Sequence, residues 1–204
     1  MKKLMYLMAA ALMLLTLNPA QAAPEIGQAA PEFEGTNILT GQPFNLSDHK
    51  GKIVVLEWTN HQCPFVVKHY ETGNMQKIQK AALEQGATWV SIVSSAPGQQ
   101  GHVTAEEGVK IATDAGASIS AKLLDESGEI GKLYGASTTP HMFVINGEGV
   151  LVYAGAIDDN SSPSHDTVEG AKNYVTAALS DLAAGKPVET ATSQPYGCAV
   201  KYAH

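Results

Sequence analysis

The stretch from Ile53 to Phe65 constrains the fold more than any other part of the chain. Ile53-Val54-Val55-Leu56-Glu57-Trp58 is an apolar, β-branched run of buried-strand length that breaks at the polar Thr59-Asn60-His61-Gln62. Cys63 follows, directly before Pro64 and a long helical pattern. Proline is tolerated in the first helical turn because its missing N–H would be unpaired there anyway, so Cys63 is predicted at the N-cap or first helical position. Unpaired N–H groups and the positive end of the helix dipole favour thiolate over thiol at such a place. A reactive thiol is one reading. A small buried residue, or half of a structural disulfide, is the other, because free cysteine is among the most buried residue types.

Helices and strands alternate from residue 52 onward, which predicts an α/β fold with a central mixed sheet flanked by helices. Residues 33–36 and 43–46 flank Asn37-Ile38-Leu39-Thr40-Gly41 and predict an N-terminal β-hairpin. The helix opened by Cys63 is predicted over 64–85, with a kink at Gly73 and a stop at Gly86. A strand over 87–93 and a loop over 94–103 lead to Thr104-Ala105-Glu106-Glu107, whose capping-box spacing opens a helix ending near Gly116. Residues 121–124 read as a short strand and residues 129–134 as a brief helix. Thr139-Pro140 precedes an apolar strand over 141–145, and the Asn146-Gly147 turn pairs it with 150–154. The last helix is predicted from the three-and-four spacing of Val168, Ala171, Tyr174, Val175, Ala178, Leu179 and Leu182. A polar tail over 188–204 carries Cys198.

Residues 1–22 read as a cleaved signal peptide. Lys2 and Lys3 precede an apolar run from Leu4 to Leu17, and Ala20-Gln21-Ala22 is a small-x-small cleavage site. Periplasm is the expected location, with one domain over 23–187 followed by the tail. The 13 basic residues are all lysine against 20 acidic ones, and loss of the leader makes the chain two charges more negative than −7. So little basic surface argues against nucleic acid or an anionic membrane as partner. Two cysteines in an oxidising compartment are compatible with a single structural bridge, so chemistry rests on where they sit.

Together, Asn60-His61-Gln62-Cys63-Pro64-Phe65, Thr139-Pro140, the segment from Tyr153 to Asp159 and the terminal Tyr196-Gly197-Cys198 resemble the secreted peroxiredoxin-like proteins, or redoxins, of the thiol-specific antioxidant group within the thioredoxin-fold superfamily. The likeness extends over residues 24–185. It implies a thioredoxin-like fold, Cys63 as the attacking thiol, and a cis Thr139-Pro140 bond facing it. Asn60, His61, Pro64, Thr139 and Pro140 would then shape and tune the substrate site. The substrate would be a peroxide or a disulfide, with an external dithiol as reductant and no cofactor. Two departures from the family pattern matter. Val66 stands where a thioredoxin has its second cysteine, so there is no local dithiol. Asn60 replaces the usual threonine three residues before the cysteine, and no arginine exists to orient a peroxide. Lys68 and Asn60 are the substitutes the sequence offers, although an ammonium lacks the planar fork of a guanidinium. Cys198 is the internal candidate for a resolving thiol.

Two alternatives stay open. His61, Cys63 and His141 offer one sulfur and two nitrogen ligands suited to copper or zinc, which would make a metal-delivery module. A permanent Cys63–Cys198 bridge would make a non-catalytic binding domain. His69 reads as a solvated helix residue, and Asp158-Asp159 as a solvated turn.

Overall fold

A computed structural model of the chain describes residues 23–203, so the leader expected over residues 1–22 lies outside the described residues. Two short strands, β1 (Glu34–Asn37) and β2 (Gln42–Asn45), form the N-terminal hairpin. The apolar run follows as β3 (Val54–Trp58), every residue of it buried. Then come α1 (Pro64–Glu71), α2 (Asn74–Glu84), β4 (Thr88–Val93), α3 (Ala105–Asp114), β5 (Ala121–Leu124) and α4 (Glu129–Tyr134). The chain ends with β6 (Thr138–Thr139), β7 (His141–Ile145), β8 (Leu151–Gly155), α5 (Tyr174–Ala183) and β9 (Cys198–Ala199).

Five strands form the central sheet in the order β5-β4-β3-β7-β8. The β3, β4 and β5 strands run parallel, while β7 is antiparallel to both β3 and β8. The β3 strand is therefore central and covered on both faces, which is why its sequence reads as continuous apolar residues rather than as alternation. Its side chains still alternate in space. Leu56 and Trp58 join Ile92, Leu123, Phe143 and Tyr134 in one core, while Val55 joins Met75, Trp89, Val144 and Leu179 in the other. Each such side chain fully removed from water contributes about 1.5–3 kcal/mol. Glu57 is the exception. Its carboxylate is wholly buried and accepts from Trp89 Nε1 at 2.8 Å, Tyr70 Oη at 2.9 Å and Gln79 Nε2 at 3.2 Å. Three donors are what make an ionisable group tolerable there.

The mixed sheet flanked by helices is the α/β arrangement expected, but two helices differ from expectation. The helix predicted over 64–85 is two helices. Thr72 turns its hydroxyl back onto the Lys68 carbonyl at 2.6 Å, and Gly73, at φ +73°, takes a left-handed conformation that breaks the chain before α2. The last helix begins only at Tyr174, where Asn173 is the N-cap and its Oδ1 accepts from Thr176 N at 2.8 Å; Val168 and Ala171 precede it. Their periodic spacing continued a pattern that Gly170 interrupts. At α3 the expected capping box is present, with Thr104 and Glu107 bonded reciprocally. Among the described residues no helix is long and apolar enough to cross a membrane.

Candidate active site

Cys63 sits at the N-cap of α1 with extended backbone (φ −82°, ψ 122°), and Pro64 takes the first helical turn. The β3 strand delivers it there. Thr59 N bonds Ile92 O at the end of the sheet, and Cys63 N closes a turn onto Asn60 O at 3.0 Å. From the other side comes β6, which ends in a cis Thr139-Pro140 bond, and the Cys63 thiol donates to the Thr139 carbonyl at 3.0 Å.

The polar tail returns to this point. Strand β9 pairs antiparallel with β6, so that Cys198 lies opposite Thr139 and Ala199 opposite Thr138. The two cysteines are free thiols, brought beside one another because Thr139, which the Cys63 thiol bonds, is the register partner of Cys198. Gly197 permits the close approach. At φ +130° it lies over the Thr139 carbonyl, where any Cβ would be 2.0 Å from the oxygen. Cys63 is therefore completely covered, not partly exposed as a helix start usually is. Cys198 keeps partial access to solvent.

The pair is electrostatically unequal. Burial pushes the Cys63 thiol up, but donation from the Cys198 thiol, from Thr139 and from the Cys198 and Val66 N–H groups outweighs it, and the net shift is downward. Cys198 is pushed up to about 11, first by burial and then by Cys63. Cys63 thus loses its proton first, and Cys198 holds the one that stabilises the resulting thiolate.

The remaining residues expected at the site divide. Thr139 and Pro140 flank the thiol, and Pro64 is exposed beside it. His61 is half-buried, and its pKa is lowered by burial and by the Lys122 charge. Asn60 is turned inward. Its Nδ2 donates to Gln100 O at 3.2 Å and its Oδ1 accepts from Gln62 N at 2.9 Å, so it shapes the loop. Lys68 does not face the thiol either. Its wholly buried ammonium donates to the Asn160 and Ser162 carbonyls at 2.8 and 2.7 Å. The His61, Cys63 and His141 metal set is not assembled. His141 is buried against Phe143 and accepts from Ser137 N at 3.3 Å, and among the described residues no three metal-binding side chains gather.

Sequence reasoning missed the anchor that holds the tail. His69, expected in solvent, is fully buried, and Asp158 is nearly so. The Tyr196 hydroxyl donates to Asp158 and lies 3.3 Å from His69 Nε2, while Asn74 Nδ2 donates to His69 Nδ1 at 2.8 Å. That donation fixes the tautomer with the proton on Nε2. Burial, aided by the Lys68 charge, pulls the His69 pKa to about 3, so the ring is neutral and its 3.8 Å approach to Asp158 is not an ion pair. Lys68 also lies 5.3 Å above the Tyr196 ring. Nothing in the local sequence marks these residues, because the anchor joins positions 127 apart.

The redoxin family model matches residues 25–174, about three quarters of the chain, with Cys63 and Thr139-Pro140 inside the match. The chain belongs to the redoxin family. Among solved structures, this redoxin is similar to an uncharacterized conserved protein from Geobacillus kaustophilus, with 27% identity and a TM-score of 0.74 over 88% of this chain and 93% of that one. A hypothetical protein from Sinorhizobium meliloti 1021 is 26% identical with a TM-score of 0.73, covering 89% and 97%. The thioredoxin domain of a thiol-disulfide oxidoreductase from Bacteroides vulgatus shares the fold at 23% identity and a TM-score of 0.51, covering 72% and 97%. No curated protein matches the chain. The family and the paired thiols make this redoxin a thiol-based redox protein.

Proposed function

We propose that this redoxin is an extracytoplasmic thiol-disulfide oxidoreductase with Cys63 as nucleophile and Cys198 as resolving thiol. The observation that carries the reading is the β6–β9 pairing, which holds Cys198 against Cys63 at the cis-proline strand. The Cys63 thiolate attacks one sulfur of a substrate disulfide, forming a mixed disulfide and releasing the other sulfur as a thiolate. Cys198, deprotonated as its neighbour's charge disappears, then attacks the Cys63 sulfur. The second substrate thiol leaves, and a Cys63–Cys198 disulfide remains for an external dithiol to reduce. Disulfide exchange is favoured over peroxide reduction because no arginine exists and the Lys68 ammonium is committed to two carbonyls. Moreover, β6 pairs with an extended, cysteine-bearing segment, and when β9 lifts to uncover Cys63 an extended peptide can take the same edge.

The deciding experiment exposes reduced protein separately to an equimolar peptide disulfide and to equimolar hydrogen peroxide, then maps disulfides and traps sulfenic acid. The expected result is a Cys63–Cys198 bridge formed much faster with the peptide disulfide, and an accumulating Cys63 mixed disulfide in Cys198→Ser. A faster reaction with peroxide, leaving trappable sulfenic acid in Cys198→Ser, would select the peroxidase branch. A Cys198 that stays free under both oxidants ends the resolving role. The proposed location rests on the leader, and N-terminal sequencing of protein from a periplasmic fraction should begin at Ala23.

A further inference from the structure

Beside the thiol loop, a cleft of about 320 Å³ opens between α1 and α3 over the sheet, a size at the lower end of small-molecule sites. Its walls are mostly apolar, from Val66 and Val67 of α1, Val103, Ile111 of α3 and Ile119. Thr59 and His61, of the segment leading into Cys63, line the same space. One group does not fit an apolar cleft. Lys122, on β5, lines it while only 6% exposed.

Among the described residues the Lys122 ammonium has no hydrogen-bond acceptor and no carboxylate within ion-pair distance. Glu57 is the anion that acts on it, but the Glu57 oxygens are already engaged by Tyr70, Gln79 and Trp89. Burial accordingly pulls Lys122 below the ordinary lysine value, and Glu57 offsets that only in part. The other buried lysine makes the contrast plain, since Lys68 is met by two carbonyls. An ammonium that lines an apolar cleft without a protein partner is served only by water entering the cleft or by an anion that replaces it. Glu71 and Asp114, both exposed, also line the cleft, with Asp114 paired to Lys110 at 2.6 Å and Glu71 3.6 Å from His165 Nε2. The cleft thus combines one buried lysine, mostly apolar walls, and carboxylates that come only from exposed residues.

We infer that this cleft is a binding site for a small apolar monocarboxylate, its carboxylate on Lys122 and its hydrocarbon part along Val67 and Ile111. A dianion is disfavoured because the carboxylates of Glu71 and Asp114 line the same cleft. A bound ligand would lie along the residues that lead into Cys63, yet its binding is independent of any redox step.

The test titrates the reduced mature protein at neutral pH with octanoate, octanol and octylammonium, following binding by calorimetry and ligand-observed NMR. Octanoate is expected to bind saturably, more tightly than octanol by at least about tenfold, the scale of one charge-assisted hydrogen bond in a desolvated site. Octylammonium is expected not to bind. Lys122→Met, which keeps the length and apolar bulk of the side chain, should remove the octanoate preference while octanol binding stays within about twofold. Val67→Trp, which fills the cleft from α1, should abolish binding of both. Retained octanol binding reports that Lys122→Met is folded; if it is not, the comparison of the three ligands on the native protein and the Val67→Trp result still decide. Equal affinity for octanoate and octanol on the native protein, no saturable octanoate binding in the low millimolar range, or octanoate binding unchanged in Lys122→Met or in Val67→Trp overturns the inference. None of these readouts uses turnover, so they fail or succeed separately from the proposed exchange chemistry.

Discussion

At the scale of single residues, the asymmetry between Cys63 and Cys198 is a matter of who donates to whom. The Cys63 sulfur receives donors from a helix N-terminus and from the tail, whereas for Cys198 burial and a neighbour that becomes negative outweigh the opposing charge of Lys201. Following thiolate absorbance against pH should therefore give a first transition below the ordinary cysteine value and a second near pH 11. In Cys198→Ala the donor is gone, so the Cys63 transition should move upward; an unchanged midpoint would show that the tail does not tune the thiol. Cys63→Ser should leave the fold intact, because a hydroxyl is nearly isosteric and can still donate to the Thr139 carbonyl, while thiol-linked turnover disappears. Turnover surviving in that variant would rule out Cys63 as nucleophile.

At the scale of elements, β9 is a two-residue strand that depends on its neighbours. Besides β6, the tail is fixed by Ala96 N to Lys201 O at 2.8 Å, Val200 N to Ser137 O at 3.0 Å and Tyr202 Oη to Ala136 O at 2.6 Å. The buried Tyr196 anchor completes the attachment. Tyr196→Phe removes the only hydroxyl donor seen on the buried Asp158 carboxylate among the described residues and should destabilise the protein by about 1–3 kcal/mol in chemical denaturation. Gly197→Ala should be more local. Its Cβ would meet the Thr139 carbonyl, so β9 must lift from β6, and Cys63, otherwise fully covered, should become alkylated faster. If alkylation of Cys63 is equally slow in Gly197→Ala, the tail is not what covers the thiol.

At the scale of the whole molecule, two linkages are expected. His69 and His141 are buried neutral, with pKa values pulled to about 3 and about 4, in each case first by burial. The unfolded chain, with histidines near 6.5, takes up protons that the native state refuses, so stability is full above about pH 6.5 and falls as pH drops toward 4. The loss should approach about 1.4 kcal/mol per pH unit per histidine, read from denaturation at pH 7 and pH 4.5. His69→Gln should flatten that slope. The second linkage is redox. A Cys63–Cys198 bridge closes a loop of more than about 100 residues and should stabilise the oxidised form by up to roughly 4–5 kcal/mol over the reduced one in the chain-entropy description. No difference between the two forms would mean that closure strains the native site.

The strand-to-cysteine-to-helix order was legible in the sequence because it is local. A continuous apolar run, a proline after the cysteine and a capping box each act over a few residues, and β3, the start of α1 and the start of α3 follow from them directly. Gly73 was legible as the place of a kink, though not as a full break into two helices; the late start of the last helix was not, since hydrophobic spacing runs across a glycine that the backbone uses to turn. Burial of Lys68, His69, Asp158 and Lys122 was decided only by tertiary structure. A charged or polar residue is read as solvated until distant chain covers it, and for Lys68, His69 and Asp158 that is a loop near residue 160 and a tail that folds back across the cis-proline strand, while Lys122 is covered by its place on β5 under the cleft. By itself the sequence determined two cysteines far apart along the chain, one of them at a helix start; long-range strand pairing, with a glycine that lets two backbones touch, is what brought them to one another.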